Sequence, residues 1–483
     1  MNCQRKHISQ PAIPTLYNEV KDGILKEIKD ISFYSATTGM WSSSNMTPYM
    51  SFTIHYITAN WTLQSKCLET RFVPITILNH TADVLAEALQ SALAAWGLDE
   101  HKMACITTDN GRNIAAAVHS LGWPWLNCFG HNLHLAVCHG LDSDKDRTAH
   151  AMGVCRNLVK TFNLSLLKKR DLRKAQTEAS LPQHSLVLDV ATRWGSKQKM
   201  IDRVLEQLPA IRRVLVEDRK HGHLNPTWQD VSVLESINAA MKPVADITDV
   251  LSGEKYVTVS SVKLVLELLK GELLSPDPSD TELTAKIKEN MCRVLTEKYS
   301  PPEIQDLLRK ATILDPRYRG SMEDEEVLDD VKHQLVQELL DMKEEGRSEE
   351  SASTENDGDG GSEHAASKKK MLSDLLQNRR AKLTSLQTQI VSLPKRVQAD
   401  AELTKFIQEE VVDATSDPLM WWRDNHRRFP LIGKLAQKYM CICATSTSSE
   451  RTFSTAGNIV TPERSCLKPH KVNMLVFLAR NLS

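Results

Sequence analysis

The order of elements encoded in the first 130 residues restricts the fold of this chain more than any other sequence feature. Apolar and polar residues alternate through residues 50–57, which predicts a half-buried strand. Residues 63–72 follow closely enough to pair with it as a hairpin, and residues 31–38 are rich in β-branched and aromatic residues. Three strands in succession predict an antiparallel meander at the start of an α/β fold.

A helix and a buried strand are predicted next. An apolar stripe of helical period follows the candidate N-cap Thr81, and Gly97 stands where a left-handed residue usually ends a helix. Residues 103–106 form a short apolar run, typical of a strand buried on both faces. That run leads into Thr107-Thr108-Asp109-Asn110-Gly111. With another short helix and a strand candidate at residues 125–129, the predicted order is β-β-β-α-β-α-β.

The remainder of the chain has a mainly helical pattern with one interruption. From about residue 131 to residue 340 the apolar spacing indicates helices. Residues 344–363 contain eight acidic residues against one basic residue, with Ser and Gly between them. Such a segment lacks the apolar residues of a core, so we expect a disordered acidic linker.

Composition restricts the cellular setting and the kind of partner. Lys+Arg 60 against Asp+Glu 61 gives a net charge of -1, so any nucleic-acid binding must come from a local basic face. No apolar run approaches the ~20 residues that span a bilayer, and the polar start lacks a signal-peptide core. Ten irregularly spaced cysteines indicate reduced thiols rather than a disulfide framework. We expect a nuclear or cytosolic protein.

Two acidic residues occupy positions where a metal-binding carboxylate would be useful. Asp109 follows a buried strand, where a divalent cation can be held, but it can also cap the following helix. Glu450 lies in the first turn of a short predicted helix capped by Ser448 or Ser449, where an acid stabilises the helix dipole. Taken separately, both residues are better explained as capping groups.

Five short motifs occur in a fixed order along the chain: Thr37-Thr38-Gly39-Met40-Trp41-Ser42-Ser43, Thr107-Thr108-Asp109-Asn110, Cys128-x-x-His131, Asp189-x-x-Thr192-Arg193-Trp194 and Ser449-Glu450-Arg451-x-Phe453-Ser454-x-x-Gly457. In this order they resemble the hAT family of DNA transposases, and most closely its domesticated branch, the BED-type zinc-finger proteins. Each motif is weak alone, but five in the same order make chance agreement rare. The resemblance covers about residues 14–341 and 401–482 and leaves out the acidic linker.

The resemblance implies an RNase-H-like core that is split by a large all-α insertion domain and completed by a helical C-terminal dimerisation segment. The three catalytic acids of the family lie in its TxDxW, TTDN and SERxFS motifs. The second acid falls on Asp109 and the third on Glu450. The first falls on Gly39, which has no side chain with which to bind a metal.

Loss of the first acid bears directly on catalysis. Strand cleavage in this fold uses two divalent metals, normally bridged by one carboxylate, so two acids would face about four positive charges. Residues 34–68 contain no Asp or Glu that could substitute. Losing such a group commonly costs several kcal/mol of transition-state stabilisation. We therefore predict that the chain is not an enzyme and needs no cofactor, with a vestigial divalent-metal site as the alternative.

Four other motif residues are candidates for metal or DNA binding. Cys128 and His131 make only half of a structural zinc site, so buried packing and metal binding both stay open. By the resemblance, the two residues lie at the end of the last core strand, near the catalytic face. Arg193 and Trp194 correspond to a family pair beside the active site, where the ring can stack on an unpaired base. A tryptophan of the hydrophobic core is the alternative.

The means of DNA binding is a separate question. Members of the family usually carry an N-terminal BED zinc finger with paired Cys and His, whereas only Cys3 and His7 precede residue 50 here. Lys368–Lys370 flank the acidic linker and are candidates for DNA contact or for nuclear import. The main candidates for phosphate contact share one predicted helix, with a solvated charged face as the alternative: Lys168, Lys169, Arg170, Arg173 and Lys174.

The C-terminal tail is the best candidate for a partner surface. Its last predicted helix is apolar nearly all round and must be buried in the core or between subunits. Two adjacent tryptophans add anchors of the kind that dominate interfaces. Because the family dimerises here, we predict a homodimer through Trp421, Trp422, Val472, Leu475, Val476 and Ala479.

The predicted function is that of a nuclear, transposase-derived, catalytically inactive homodimer with a DNA-associated role in transcriptional regulation, and with no membrane or small-molecule partner. One rival is an active hAT-type transposase whose first acid comes from elsewhere in the chain. The other is a protein-interaction scaffold that makes no DNA contact. The predicted segments are 1–30 (helical lead-in), 31–130 (first part of the core), 131–342 (all-α insertion), 343–370 (acidic linker), 371–400 (basic helical segment) and 401–483 (C-terminal segment).

Overall fold

The structure of the protein is a computed structural model. It describes residues 11–43, 46–73, 81–190, 194–218, 220–251, 253, 256–319, 324–342, 394–461 and 467–482. The predicted acidic linker, Lys368–Lys370, Cys3, His7 and Arg193 lie outside the described residues. Of the predicted basic segment 371–400, only residues from 394 onward are described.

A five-stranded mixed sheet organises the first 130 residues. Its strands are β1 Tyr34–Ser42, β2 Pro48–Ile57, β3 Leu63–Phe72, β4 Met103–Thr108 and β5 Trp125–Asn127. The order across the sheet is β3-β2-β1-β4-β5. β1, β2 and β3 pair antiparallel, whereas β1 pairs with β4 and β4 with β5 in parallel. The predicted meander and the predicted order of elements are both confirmed.

Helices make up most of the rest of the described chain. Three of them belong to the sheet region: α1 Ile13–Ile28, α2 Ala82–Ala95 and α3 Arg112–Ser120. A mainly helical stretch follows β5, with α4 Phe129–Leu141, α5 Lys145–Leu164, α6 Leu166–Glu178, α7 Trp194–Glu206, α8 Leu208–Glu217, α9 Trp228–Leu251, α10 Val259–Leu268, α11 Glu282–Tyr299, α12 Pro302–Ile313 and α13 Glu325–Asp341. The C-terminal part contains α14 Lys395–Gln408, α15 Pro418–Asn425, α16 Pro430–Met440, α17 Thr447–Ile459 and α18 Pro469–Asn481. Within the described ranges, no helix combines the length and apolarity needed to cross a membrane.

The prediction that β2 is half-buried is wrong, because every residue of β2 is buried. One face of the strand carries Phe52 and Ile54, which pack in a core shared with α1 and α2. The opposite face carries polar residues and is covered by α16 and α17 from the C-terminal part of the chain. An alternating pattern reports only that one face is polar, so it cannot reveal a cover supplied from nearly 400 residues away.

The C-terminal part is joined to the sheet by side chains of the strands. Ser35 of β1 donates a hydrogen bond to the carbonyl of Cys441 at 2.6 Å, and Thr107 of β4 donates to that of Cys443 at 2.8 Å. The amide of Phe129, at the start of α4, donates to the carbonyl of Ala444 at 2.9 Å. These bonds fix the segment that leads into α17 against the middle of the sheet.

Candidate functional site

Two of the predicted site positions meet at one edge of the sheet. β1 and β4 run in parallel with Thr37 opposite Thr107. Asp109 directly follows β4, and Gly39 lies within β1 two residues beyond its last residue paired with β4, so the two positions are next to each other where that parallel pairing stops. The N-terminal turn of α17 approaches the same place, since Thr37 Oγ1 lies 2.6 Å from Ser448 Oγ.

Helix α17 lies directly against the glycine. A Cβ atom at Gly39 would lie 3.1 Å from Cε2 of Phe453 and 3.4 Å from Cβ of Ser449. Glu450 is the next residue of the same helical turn. The glycine that stands in the place of the first acid and the residue in the place of the third are therefore neighbours.

Asp109 is held by its own turn at the end of β4. Its Oδ1 accepts the amide of Gly111 at 2.9 Å, an Asx turn that leads into α3. The next residue, Asn110, donates from Nδ2 to Oδ1 of Asn132 at 2.9 Å and so ties this turn to α4. Asp109 thus stabilises the turn before α3, but it is not the helix cap considered from the sequence, because the N-cap of α3 is Gly111.

His131 places a positive charge beside both acids. Its Nδ1 lies 3.9 Å from Oε1 of Glu450. Burial alone would lower the pKa of His131, but Cys128, Glu450 and Asp109 outweigh burial and raise that pKa to about 9. The imidazole is therefore cationic at neutral pH and neutralises part of the acidic charge.

Cys128 connects this histidine to the loop before α17. The thiol is buried, and its Sγ accepts the amide of Ser446 at 3.2 Å. Burial alone would raise the pKa of Cys128, but His131 and the Ser446 amide outweigh burial and lower it. These contacts agree with the packing interpretation of the two residues, while metal binding by them stays a prediction.

The donor groups at this edge do not match the needs of a metal pair. In the part of the chain that the structure describes, no group of three or more His, Cys, Asp or Glu side chains is arranged to hold a metal ion. Asp109 and Glu450 supply two carboxylates, and the cationic His131 competes with any metal for them. A two-metal site normally relies on a third, bridging carboxylate.

A buried polar chain beneath the site was missed from the sequence. Nδ1 of His55 lies 2.7 Å from Ser65 Oγ, and its Nε2 lies 3.0 Å from Thr37 Oγ1, which in turn contacts Ser448. The chain crosses β3, β2 and β1 and ends in the first turn of α17. The sequence feature that could have indicated these contacts is His55 on the polar face of β2, because we predicted that this face is exposed to solvent.

The proposed phosphate contacts on α6 need one correction. Lys168 is buried and paired with Asp218, so it is not exposed to a DNA backbone. Arg170 is exposed and lies 2.9 Å from Asp171, and Lys174 is exposed and lies 4.0 Å from Glu178. The other two candidates, Lys169 and Arg173, are exposed as well. A role in DNA contact stays a prediction for these four residues.

Of the predicted Arg193 and Trp194 pair, Trp194 begins α7 and Arg193 lies outside the described residues. Burial, the ammonium of Lys197 in the first turn of α7 and the cation of His131 together lower the pKa of His134 on α4. The first turn of α7 is therefore close to the helix that carries His131. The predicted role of the pair in DNA binding stays a prediction.

The predicted dimer contacts also need a correction. Trp422, Val472 and Val476 are each 0% exposed within the single chain, because they pack against its own helices and sheet. An apolar helix is explained equally well by the core of its own chain. Of the remaining predicted contacts, Trp421 and Leu475 are half-buried and Ala479 is exposed.

Comparison with known protein families gives three matches that do not overlap. Residues 37–123 match the ZBED1 RNase-like domain, and residues 126–240 match the ZBED1 RNase-like helical domain. Residues 402–482 match the hAT family C-terminal dimerisation region. The first match contains Gly39 and Asp109, and the last contains Glu450.

Individual relatives are similar along nearly the whole chain. Zinc finger BED domain-containing protein 4 of Homo sapiens is 25% identical over 495 residues, which cover 99% of this chain and 40% of the relative. An AC transposase of Zea mays is 25% identical over 501 residues, which cover 96% of this chain and 58% of the relative. RICESLEEPER 2 of Oryza sativa is 20% identical, over 95% of this chain and 66% of the relative. The chain thus spans about half the length of these relatives.

Proposed function

From the premise that this chain is a relative of the hAT transposases and the BED-type zinc-finger proteins, we propose that it is a transposase-derived protein without strand-transfer activity. It dimerises through its C-terminal region and acts at DNA in the nucleus, in transcriptional regulation. The proposal rests on one observation. Gly39, which has no side chain to bind a metal, lies beside Asp109, and the turn of α17 that contains Glu450 packs over Gly39.

The argument against catalysis is one of charge and of ligand number. Asp109 and Glu450 supply two carboxylates for about four positive charges, and the imidazole of His131 lies 3.9 Å from Glu450. β1 and β2 carry no acidic residue that could take over the role of the first acid. The rival reading, an active transposase, needs a carboxylate from outside these strands.

The fold supports a transposase origin. We interpret the sheet order β3-β2-β1-β4-β5, together with the return of α17 to its edge, as an RNase-H-like core. The helical stretch between residues 129 and 341 then represents the insertion that splits this core. The matches to an RNase-like domain and to its helical companion support this interpretation.

Dimerisation, nuclear location and a regulatory role rest on the relatives. The match to a dimerisation region supports a dimer. Several relatives are named as BED zinc-finger proteins, and one from Talaromyces stipitatus as a transcriptional regulator. Exposed basic residues on α6, above all Lys169 and Arg173, supply a local basic face for contact with DNA.

A cleavage assay tests the loss of catalysis. The protein is incubated with Mg²⁺ or Mn²⁺ and a supercoiled plasmid that carries the terminal repeats of a hAT element. We expect no more nicking or strand transfer than with the matched Asp109→Asn variant. Metal-dependent turnover that Asp109→Asn abolishes would establish the active transposase instead.

A binding assay separates DNA contact from a pure protein scaffold. We expect the affinity for duplex DNA to fall with salt, and the K169A/R173A variant to reduce the slope of log K against log salt by about 1.8, or about 0.9 for each lost phosphate contact. The matched control is K286A/R293A, which removes one exposed Lys and one exposed Arg from α11. Equal slopes for the two variants would remove α6 from the DNA-binding surface, and absence of binding at 50 mM salt would favour the scaffold.

A further inference from the structure

We propose that Gly39 has become a packing residue for α17. In that case, restoring an acid at position 39 destabilises the chain and does not by itself create a site for a divalent cation. The inference rests on the proposed function, since it takes position 39 to be the place of the lost acid. It is carried by the juxtaposition of Gly39 with Phe453 and Ser449.

Three residues on one face of β1 contact α17 in succession. Side chains two apart on a strand point to the same face, which here carries Thr37, Gly39 and Trp41. Thr37 lies 2.6 Å from Ser448, and the Trp41 ring is stacked on Phe453 with centroids 6.3 Å apart and planes at 14°. Any side chain at position 39 would therefore enter the middle of a continuous helix–strand contact.

The available space at that point is smaller than a methyl group requires. A Cβ on Gly39 would lie 3.1 and 3.4 Å from Cε2 and Cζ of Phe453, and 3.4 Å from Cβ of Ser449. The Phe453 ring is stacked on Trp41, which is itself 5.6 Å from Tyr49, so moving the ring away from Gly39 disturbs these aromatic contacts. Aspartate would add three more atoms beyond that Cβ, next to Glu450.

The close contact between β1 and α17 depends on the absence of a side chain at position 39. In this chain Phe453 fills the position that a side chain at residue 39 would enter, and Glu450 in the same turn lies 3.9 Å from His131. An aspartate at position 39 would therefore meet the ring of Phe453 and add a third carboxylate beside Asp109 and Glu450.

The packing claim is tested with alanine. Gly→Ala within a strand or helix normally stabilises a protein. We expect the opposite for Gly39→Ala: its urea midpoint falls below that of the unmodified chain. We also expect Gly39→Ala to be tolerated better when Phe453→Leu removes the far edge of the ring. The matched control is Gly153→Ala on α5, where a Cβ meets nothing within 4 Å, and its midpoint should rise.

The claim about cation binding is tested by titrating each protein with Mn²⁺ alone and measuring the concentration of free Mn²⁺ by electron paramagnetic resonance. The proteins compared are the unmodified chain, G39D, F453L, G39D/F453L and G39D/F453L/D109N. We expect G39D to bind Mn²⁺ no more tightly than the unmodified chain. G39D/F453L should bind at least about tenfold more tightly, a typical effect of a group that supports a metal ligand. Asp109→Asn should remove that gain.

Each result has a distinct reading. Tight Mn²⁺ binding by the unmodified chain would contradict the proposed function. Tight binding by G39D alone, or none by the double variant, would overturn the inference and leave the proposed function standing. A rise in the urea midpoint of the Gly39→Ala variant would also overturn the inference. That measurement needs no metal, and the variant adds only one methyl group.

Discussion

Replacing Trp422 by alanine is expected to lower the free energy of unfolding by about 3–5 kcal/mol, the usual cost of emptying a buried aromatic site. Trp422 is 0% exposed and stacks on Trp61, with ring centroids 5.5 Å apart, and on Phe406, with centroids 5.0 Å apart. Its Nε1 donates to the carbonyl of Leu314 at 3.1 Å, so the substitution also leaves a buried acceptor without its donor. Urea denaturation followed by circular dichroism measures the loss.

The same substitution separates a core residue from an interface residue. Met420 lies on the same helix and is 53% exposed, so Met420→Ala should change the free energy of unfolding by less than about 0.5 kcal/mol. Sedimentation at several protein concentrations reports the dimer for both variants. If Trp422→Ala weakened the dimer without loss of monomer stability, our original assignment of Trp422 to the interface would be right.

Replacing Glu338 by alanine is expected to cost about 3 kcal/mol, the lower end of the range for breaking a buried ion pair. The carboxylate of this α13 residue contacts Nζ of Lys438 at 2.5 Å, the hydroxyl of Tyr439 at 2.7 Å and Nζ of Lys310 at 3.4 Å. It therefore joins α12, α13 and α16. We choose the lower end because the two lysine side chains keep 16% and 23% exposure.

The loss caused by Glu338→Ala should depend on pH. Burial alone would raise the pKa of Glu338, but Lys438, Tyr439 and Lys310 outweigh burial and lower it below the ordinary value of 4.5. A carboxyl with a lowered pKa stabilises the fold above its unfolded value, and that stabilisation is lost as pH falls through the folded pKa. The gap between the unmodified chain and Glu338→Ala should thus be full at pH 7 and shrink below about pH 4.5.

The control for this network is Asp330→Ala, an exposed acid of the same helix beyond its first turn, which should change the free energy of unfolding by less than about 0.5 kcal/mol at each pH. Urea titrations of the three proteins at pH 7, 5, 4 and 3 provide the measurement. A gap between Glu338→Ala and the unmodified chain that stayed constant from pH 7 to pH 3 would show that the ion pair is not its source.

Local patterns predicted the elements of the sheet well because their causes are local. β3 has the bounds predicted for it, Leu63–Phe72. At the end of α2, Gly97 has a φ of +61°, and the amide of Leu98 bonds to the carbonyl of Leu93 at 3.1 Å, as the sequence predicted. Such features depend on a few neighbouring residues, which a sequence pattern records directly.

The site was predicted in part, and only through the order of motifs. Asp109 and Glu450 each have a capping explanation, and neither spacing nor composition brings them together. The structure places both near His131, a contact that depends on the return of α17 to the sheet. The polar chain through His55 and the burial of Lys168 were missed for a similar reason, since Thr37 contacts Ser448 411 residues away and Lys168 pairs with Asp218 50 residues away.

The bonds from Ser35 and Thr107 to carbonyls of residues 441 and 443 have a consequence for biosynthesis. A ribosome that adds 5–20 residues per second reaches residues 441–443 roughly 20–80 s after it has made β1. During that interval the face of β2 that carries Ser51, Thr53 and His55 has no helix over it. The polar residues on that face can hydrogen-bond to water, so the incomplete sheet exposes no apolar surface there until the C-terminal helices have been synthesised.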